Sequence, residues 1–370
     1  MSKTRSMFWD NFKGILITLV VLGHFLFAYF LHIDKSYATA ITTFIYLFHM
    51  PAFIFTTGYL SKSENVFKKK AFIKLLIIYF LFNTSLMIFD KILNGNNFSL
   101  LVPYYSYWYL ISVIFLRLLI RPLSKIKGLF PISIIVSLLI GFWPEVDNSL
   151  SIVRTIAFFP FFVLGYKYDF KDLKQKILKN SKLKLLIMSF VTSLFFTILL
   201  IISYKFNFNF RYLLYYRYKD FLEVFIRIFL LVIAFISIFL LYFSLPNKKL
   251  AFITKWGKNC LLIYLIHRPI TLIFQKIFTY QTYDNRYIFY SLIATFLTML
   301  IFGSDVVNKY FNKFISFLTF KTMNSSLFKY AIVVFMIFIL LLKPVDILVN
   351  NGKNTSFSID KILTLLKWCW

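Results

Sequence analysis

The sequence holds four histidines, and three of them, His24, His49 and His267, lie inside long apolar stretches. Ionisable side chains in hydrocarbon are costly, so each is a candidate for function. A neutral imidazole can take a proton from a hydroxyl as a general base. It can also carry an acyl group covalently, or simply hydrogen-bond one helix to another. His24 follows Lys13 by eleven residues. On an α-helix that spacing leaves ~20° of rotation and ~16 Å of rise, so both share one face and His24 sits near mid-membrane. Asp10 lies ~40° from His24 on the same stripe. One face thus presents an acid, an ammonium and an imidazole.

His49 stands in Phe48-His49-Met50-Pro51, near the middle of the second stretch. Pro51 removes a helical donor, and irregular backbone at membrane depth lines cavities. His267 sits in the ninth stretch beside Arg268 and Pro269. Imidazoles from three helices are therefore expected at one level. Zinc also binds three imidazoles, but no His pair lies at i, i+4 and no nearby carboxylate offers outer support. No metal is assigned. His32, at the outer end of the first stretch, reads as interfacial.

Other polar marks carry less. Tyr107-Trp108-Tyr109 opens the fourth stretch either as an aromatic belt or as a stacking surface for a sugar. Arg154 and Arg227 either snorkel outward or contact an anionic acceptor. Lys68-Lys69-Lys70 suits anionic headgroups. Phe158-Phe159-Pro160-Phe161-Phe162 reads as a kinked, packed helix. There is no P-loop, dinucleotide glycine pattern or serine elbow.

The elements that must position these residues follow from composition. At 60% hydrophobic and 15% charged residues, an ordinary soluble enzyme is excluded, and so is disorder. Apolar runs near the ~20 residues that a bilayer requires fall at about 12–31, 38–60, 71–90, 104–120, 129–144, 150–166, 184–204, 221–244, 259–280, 287–304 and 327–349. The fifth and sixth are short. Alternating ten-residue segments of the β-barrel kind are absent. The expected fold is all-α: a polytopic membrane bundle of about ten core helices plus an eleventh. The basic start followed by an apolar run resembles a signal peptide, but that run is too long and carries His24. Cys260 and Cys369 imply no disulfide framework.

The chain has 42 Lys+Arg against 14 Asp+Glu. In a soluble protein such an excess points to nucleic acid. Here it tests topology. With the N-terminus inside, the inner loops hold more than twice the cations of the outer ones, as cytoplasmic loops do. Arg154, Arg227 and Arg268 remain within spans. The loop at 205–219 resists, placing Lys205, Arg211, Arg217 and Lys219 outside.

The pattern resembles the integral-membrane acyltransferase-3 family. Arg5 and Asp10-Asn11-Phe12-Lys13-Gly14, with Leu22-Gly23-His24, resemble its opening: a basic residue, ten intervening residues and a histidine. Phe48-His49-Met50-Pro51 with Thr57-Gly58-Tyr59-Leu60 is similar to its second-helix signature. Tyr107-Trp108-Tyr109-Leu110, Phe159-Pro160-Phe161-Phe162-Val163-Leu164-Gly165-Tyr166 and Tyr264-Leu265-Ile266-His267 resemble later blocks, in order. Lys13 stands where the family often has arginine, keeping the charge without the bidentate fork.

The resemblance implies a membrane acyltransferase domain over 1–305. A loop, the eleventh helix and a short extracytoplasmic tail then occupy 306–370. It implies a multi-pass plasma-membrane enzyme, N-terminus cytoplasmic, moving an acyl group, most simply acetyl, from cytoplasmic acetyl-CoA or another acyl-CoA. The acceptor is a hydroxyl of a cell-surface polysaccharide or its lipid-linked precursor. Acyl-CoA is then a co-substrate and no cofactor is bound. His24, His49 and His267 would be catalytic. Lys13, Asp10, Lys68, Lys69 and Lys70 would serve the anionic acyl carrier. Tyr107, Trp108, Arg154 and Arg268 would serve the acceptor. Partners are the glycan, the lipid bilayer and polysaccharide synthesis proteins, with no nucleic acid. His24 as general base and an acyl-histidine relay both fit, with His49 or His267–Arg268 on the oxyanion. A transporter of lipid-linked sugars is the rival reading.

Overall fold

The computed structural model describes residues 6–32, 36–96, 102–143, 149–178, 181–206, 217–278 and 285–324. The predicted eleventh span, most of the 205–219 loop, Arg5 and the His32 side chain lie outside that description. Contacts divide the chain into units 1–317 and 318–370, and the second is described only over 318–324.

The first unit is helical, with no strand among the described residues. In order come α1 (Met7–His32), α2 (Tyr37–Leu60), α3 (Lys69–Asn94), α4 (Trp108–Leu123), α5 (Leu129–Leu139), α6 (Ile152–Ala157) and α7 (Phe159–Lys167). Then follow α8 (Lys171–Leu178), α9 (Lys182–Phe206), α10 (Glu223–Ser244), α11 (Ala251–Lys258), α12 (Cys260–Ile277), α13 (Asn285–Phe302) and α14 (Asp305–Asn324). Seven described helices are long and apolar enough to cross a membrane, and α13 with α14 forms an eighth candidate bent by 61°.

Two predicted spans differ from simple helices. The fifth is 11 residues of α-helix ending in a 3-10 turn, about 16 Å of rise against a ~30 Å core. The sixth breaks at Phe158 into α6 and α7. Pro160, in the first turn of α7, has no N–H to continue the ladder back into α6.

The helices cross where side chains vanish. Gly58 of α2 lies on the Phe162 carbonyl of α7, and Gly165 of α7 lies on the Phe55 carbonyl of α2. A Cβ at either position would collide with backbone. Gly257 seats α11 on the Asp10 carbonyl of α1 in the same way. Asn11 fastens that corner: its amide donates to the Pro246 and Lys248 carbonyls at 3.2 and 2.8 Å, and its oxygen accepts from Thr254 at 2.6 Å.

Contacts between loops and helix termini fall at two ends of the bundle. At one end Lys62 donates to the Tyr168 carbonyl at 2.7 Å and Arg121 pairs with Glu64. Lys167 there reaches the Ser124 carbonyl at 2.5 Å. Lys174 caps α10 by donating to the Tyr242 and Leu245 carbonyls at 2.7 and 2.5 Å. At the opposite end Lys276 donates to the Leu93 carbonyl, and Tyr37 stacks on Tyr204 at 5.1 Å. The Tyr218 amide reaches the Gly141 carbonyl at 2.9 Å, so residues 217–219 join this end despite their cations. Arg227 does not snorkel. It is fully buried, donates to the Ser137 carbonyl at 3.0 Å and lies 4.5 Å over the Tyr218 ring.

Candidate active site

The three mid-helix histidines meet. The His24 ring on α1 lies 5.1 Å from the His267 ring on α12, centroid to centroid. Tyr46, one turn before His49 on α2, joins the third: its hydroxyl is 3.1 Å from His24 Nδ1, and its ring meets His49 edge-on at 4.8 Å. His49 and His267 are 2% and 0% exposed, whereas His24 keeps part of its surface accessible. His24 is therefore the least buried residue of the trio.

Backbone tethers set two of the tautomers. His49 Nδ1 is 2.7 Å from the Ile45 carbonyl, and His267 Nδ1 is 2.7 Å from the Tyr264 carbonyl. A carbonyl only accepts, so each Nδ1 carries the proton and each Nε2 keeps its lone pair. His267 Nε2 is buried with no hydrogen-bond partner. In these tautomers Nε2 accepts and does not donate, so an oxyanion role for either ring requires its protonated form. The histidines form no group of three or more metal-ligating side chains among the described residues.

Neither proline breaks its helix. Both α2 and α12 run through, past Pro51 and Pro269. Pro269 leaves the Leu265 carbonyl without its helical donor, and the Tyr107 hydroxyl supplies one at 2.5 Å. Tyr264 returns the contact, donating to the Ser106 carbonyl at 2.5 Å. Tyr107, fully buried, thus staples the start of α4 to the histidine-bearing turn of α12 and faces no lipid belt. Trp108, 6% exposed, stacks on Phe158 at 5.3 Å with the Arg154 guanidinium 5.6 Å over its ring.

Lys13 is not brought to the histidines. It forms an ion pair with buried Asp10 at 2.9 Å, one turn away near the start of α1. Lys68, Lys69 and Lys70 are exposed at the start of α3. Arg268 is buried, its guanidinium 3.9 Å over the Tyr105 ring and its NH1 3.3 Å from the Thr271 hydroxyl.

Several contributors were not singled out from the sequence. Tyr46 had a signal, since a polar group three residues before His49 shares its helix face. Asp90 had one too: a lone acid at the end of an apolar run. Gln275, which donates to the His24 carbonyl at 3.1 Å, had none. A line of polar side chains also links the lysine-rich end to the trio. Arg117 donates to Ser61 at 3.1 Å, and Thr57 and Tyr109 share a hydrogen bond at 2.6 Å. Tyr264 then lies 5.5 Å from Tyr109 and 5.9 Å from His267, ring to ring.

The family described as an acyltransferase domain matches residues 8–304. The chain belongs to the acyltransferase-3 family, and its long apolar helices are those of a membrane protein. Nodulation protein NolL of Mesorhizobium japonicum is 41% identical over 61 residues, 16% of each chain. The Sinorhizobium fredii protein of that name is also 41% identical over 61 residues, 16% of this chain and 17% of its own. The match thus spans about a sixth of the length of these relatives. No solved structure matches the chain.

Proposed function

We propose that the protein moves an acyl group, most simply acetyl, from cytoplasmic acyl-CoA to a hydroxyl of an extracytoplasmic cell-surface polysaccharide or its lipid-linked precursor. The lysine-rich end faces the cytoplasm, in keeping with the charge bias of cytoplasmic loops. Lys13, held by Asp10, and Lys68, Lys69 and Lys70 receive the phosphates of the acyl carrier there. Its slim arm follows the Arg117–Tyr109–Tyr264 line inward. The acceptor enters from the opposite end, past Trp108 and Arg154.

The observation that carries this reading is the partly exposed His24, whose ring lies 5.1 Å from that of His267 and whose Nδ1 is 3.1 Å from the Tyr46 hydroxyl. With Nδ1–H donated to Tyr46, His24 Nε2 takes the proton of the acceptor hydroxyl. The oxygen attacks the thioester carbonyl, the C–S bond breaks, and the departing thiolate collects the proton as CoA-SH. His267 Nε2 holds a second lone pair beside that path, and Tyr46 orients the base as a third group does in other acyl-transfer sites.

His24→Ala is expected to abolish acyl transfer while the protein accumulates in the membrane. The measurement is the mass of the surface glycan from cells carrying wild-type or variant protein. Wild-type acyl content with the variant would overturn the assignment.

A further inference from the structure

We propose that Arg268 recognises an anionic group, carboxylate or phosphate, carried by the acceptor. The inference rests on the acyl-transfer reading and narrows its acceptor to an acidic glycan. Arg268 is 2% exposed in the middle of the bundle, and its Nε has no hydrogen-bond partner. Among the described residues no carboxylate lies within ion-pair distance of it. A cation buried without an opposing charge is strongly unfavourable, and buried donors almost always have partners. The unpartnered Arg268 Nε marks a place completed by a ligand.

Asp90 acts on Arg268 only from beyond ion-pair distance, and its oxygens are engaged elsewhere. Asp90, fully buried near the end of α3, accepts from Asn94 at 2.6 Å, Asn96 at 2.9 Å, Tyr105 at 3.3 Å and the Tyr104 hydroxyl. Its grip on Tyr105 fixes the ring against which Arg268 lies. Tyr105 is held at φ +45°, a left-handed conformation that persists only where surroundings enforce it. The network therefore presents a rigid, planar guanidinium fork, the geometry that matches carboxylate and phosphate. Tyr105 belongs to the end opposite the lysine cluster, where Lys276 meets Leu93. The fork consequently faces the acceptor's side and not the CoA side.

The test compares surface glycans, by fragmentation mass spectrometry, from cells with the full-length protein, with R268K, with R268Q and with none. With the wild-type protein, the acylated sugar or its direct neighbour is expected to carry a carboxylate or phosphate. R268Q is expected to lower acylation at least tenfold at equal membrane content, and R268K, which keeps the charge, to retain part of it. The proposal is overturned if the acylated unit and its neighbours are neutral, or if the only anion lies on the transferred acyl group. It is also overturned if R268Q matches wild type or if R268K and R268Q fail equally. Absence of any acyl gain with the wild-type protein would instead overturn the acyl-transfer reading itself. The wild-type arm decides the acceptor's chemistry even if a variant does not fold.

Discussion

Helices α2 and α9 have nearly the same length, and α9 is the more apolar, yet 83% of the membrane window of α2 is buried against 11% for α9. In water the more apolar helix would be the more buried. In lipid the ordering reverses, because hydrocarbon receives Leu183, Leu186, Ile187 and Phe190 of α9 as readily as a protein core does. The interior is left to groups that hydrogen-bond or let backbones approach. Thr42, Thr43, Thr56, Thr57 and His49 are accordingly buried on α2, and Gly58 marks its crossing with α7. Hydropathy thus locates both helices but distinguishes scaffold from site only through the polar residues it penalises.

The comparison can be broken most severely at the crossing. Gly165→Leu drives a side chain into the Phe55 carbonyl and is expected to remove about 3 kcal/mol or more. The check is the yield of monodisperse protein after extraction, predicted to fall severalfold. Next is Tyr46→Phe on the same buried helix. Losing the hydroxyl that orients His24 should lower kcat roughly 10–100-fold with little change in membrane content, measured as CoA thiol release with glycan acceptor.

A smaller effect is expected on α8. Burial pushes the Lys174 ammonium from 10.5 down to about 8. Over that interval the unfolded chain holds a proton that the folded chain has released. Stability should therefore rise as pH climbs from about 8 toward 10.5. Lys174→Met should flatten that rise in thermal melts across the same range. The smallest effect belongs to α9: Phe190→Leu, at a residue 70% exposed, should leave activity unchanged and stability within about 0.5 kcal/mol. A large loss there would show that α9 packs against a protein partner and not lipid.

Long apolar helices were legible residue by residue because the bilayer imposes their length and composition. The form of the fifth and sixth segments was not, since apolar composition does not show that one is an 11-residue helix ending in a 3-10 turn and the other is broken before Pro160. His24, His49 and His267 stood out because a polar group in an apolar run announces itself. Their pairings did not: Tyr46 shares a face with His49 and Tyr107 was visible in its motif, but Tyr46–His24 and Tyr107–Leu265 are contacts between helices that no spacing along one helix encodes. The Lys13–His24 stripe is real as geometry, yet Lys13 answers to Asp10 one turn away.

The lysines that close helix ends have a consequence for biogenesis. Lys62, Lys167 and Lys174 each donate to backbone carbonyls of a neighbouring segment. During insertion such charges hold a loop on its side of the bilayer, and after folding the same ammonium groups satisfy exposed carbonyls. One residue thereby carries two instructions read at different times. Neutralising it should produce chains that are misoriented before they are unstable, and pulse-labelled topology mapping would register the first defect before any equilibrium assay records the second.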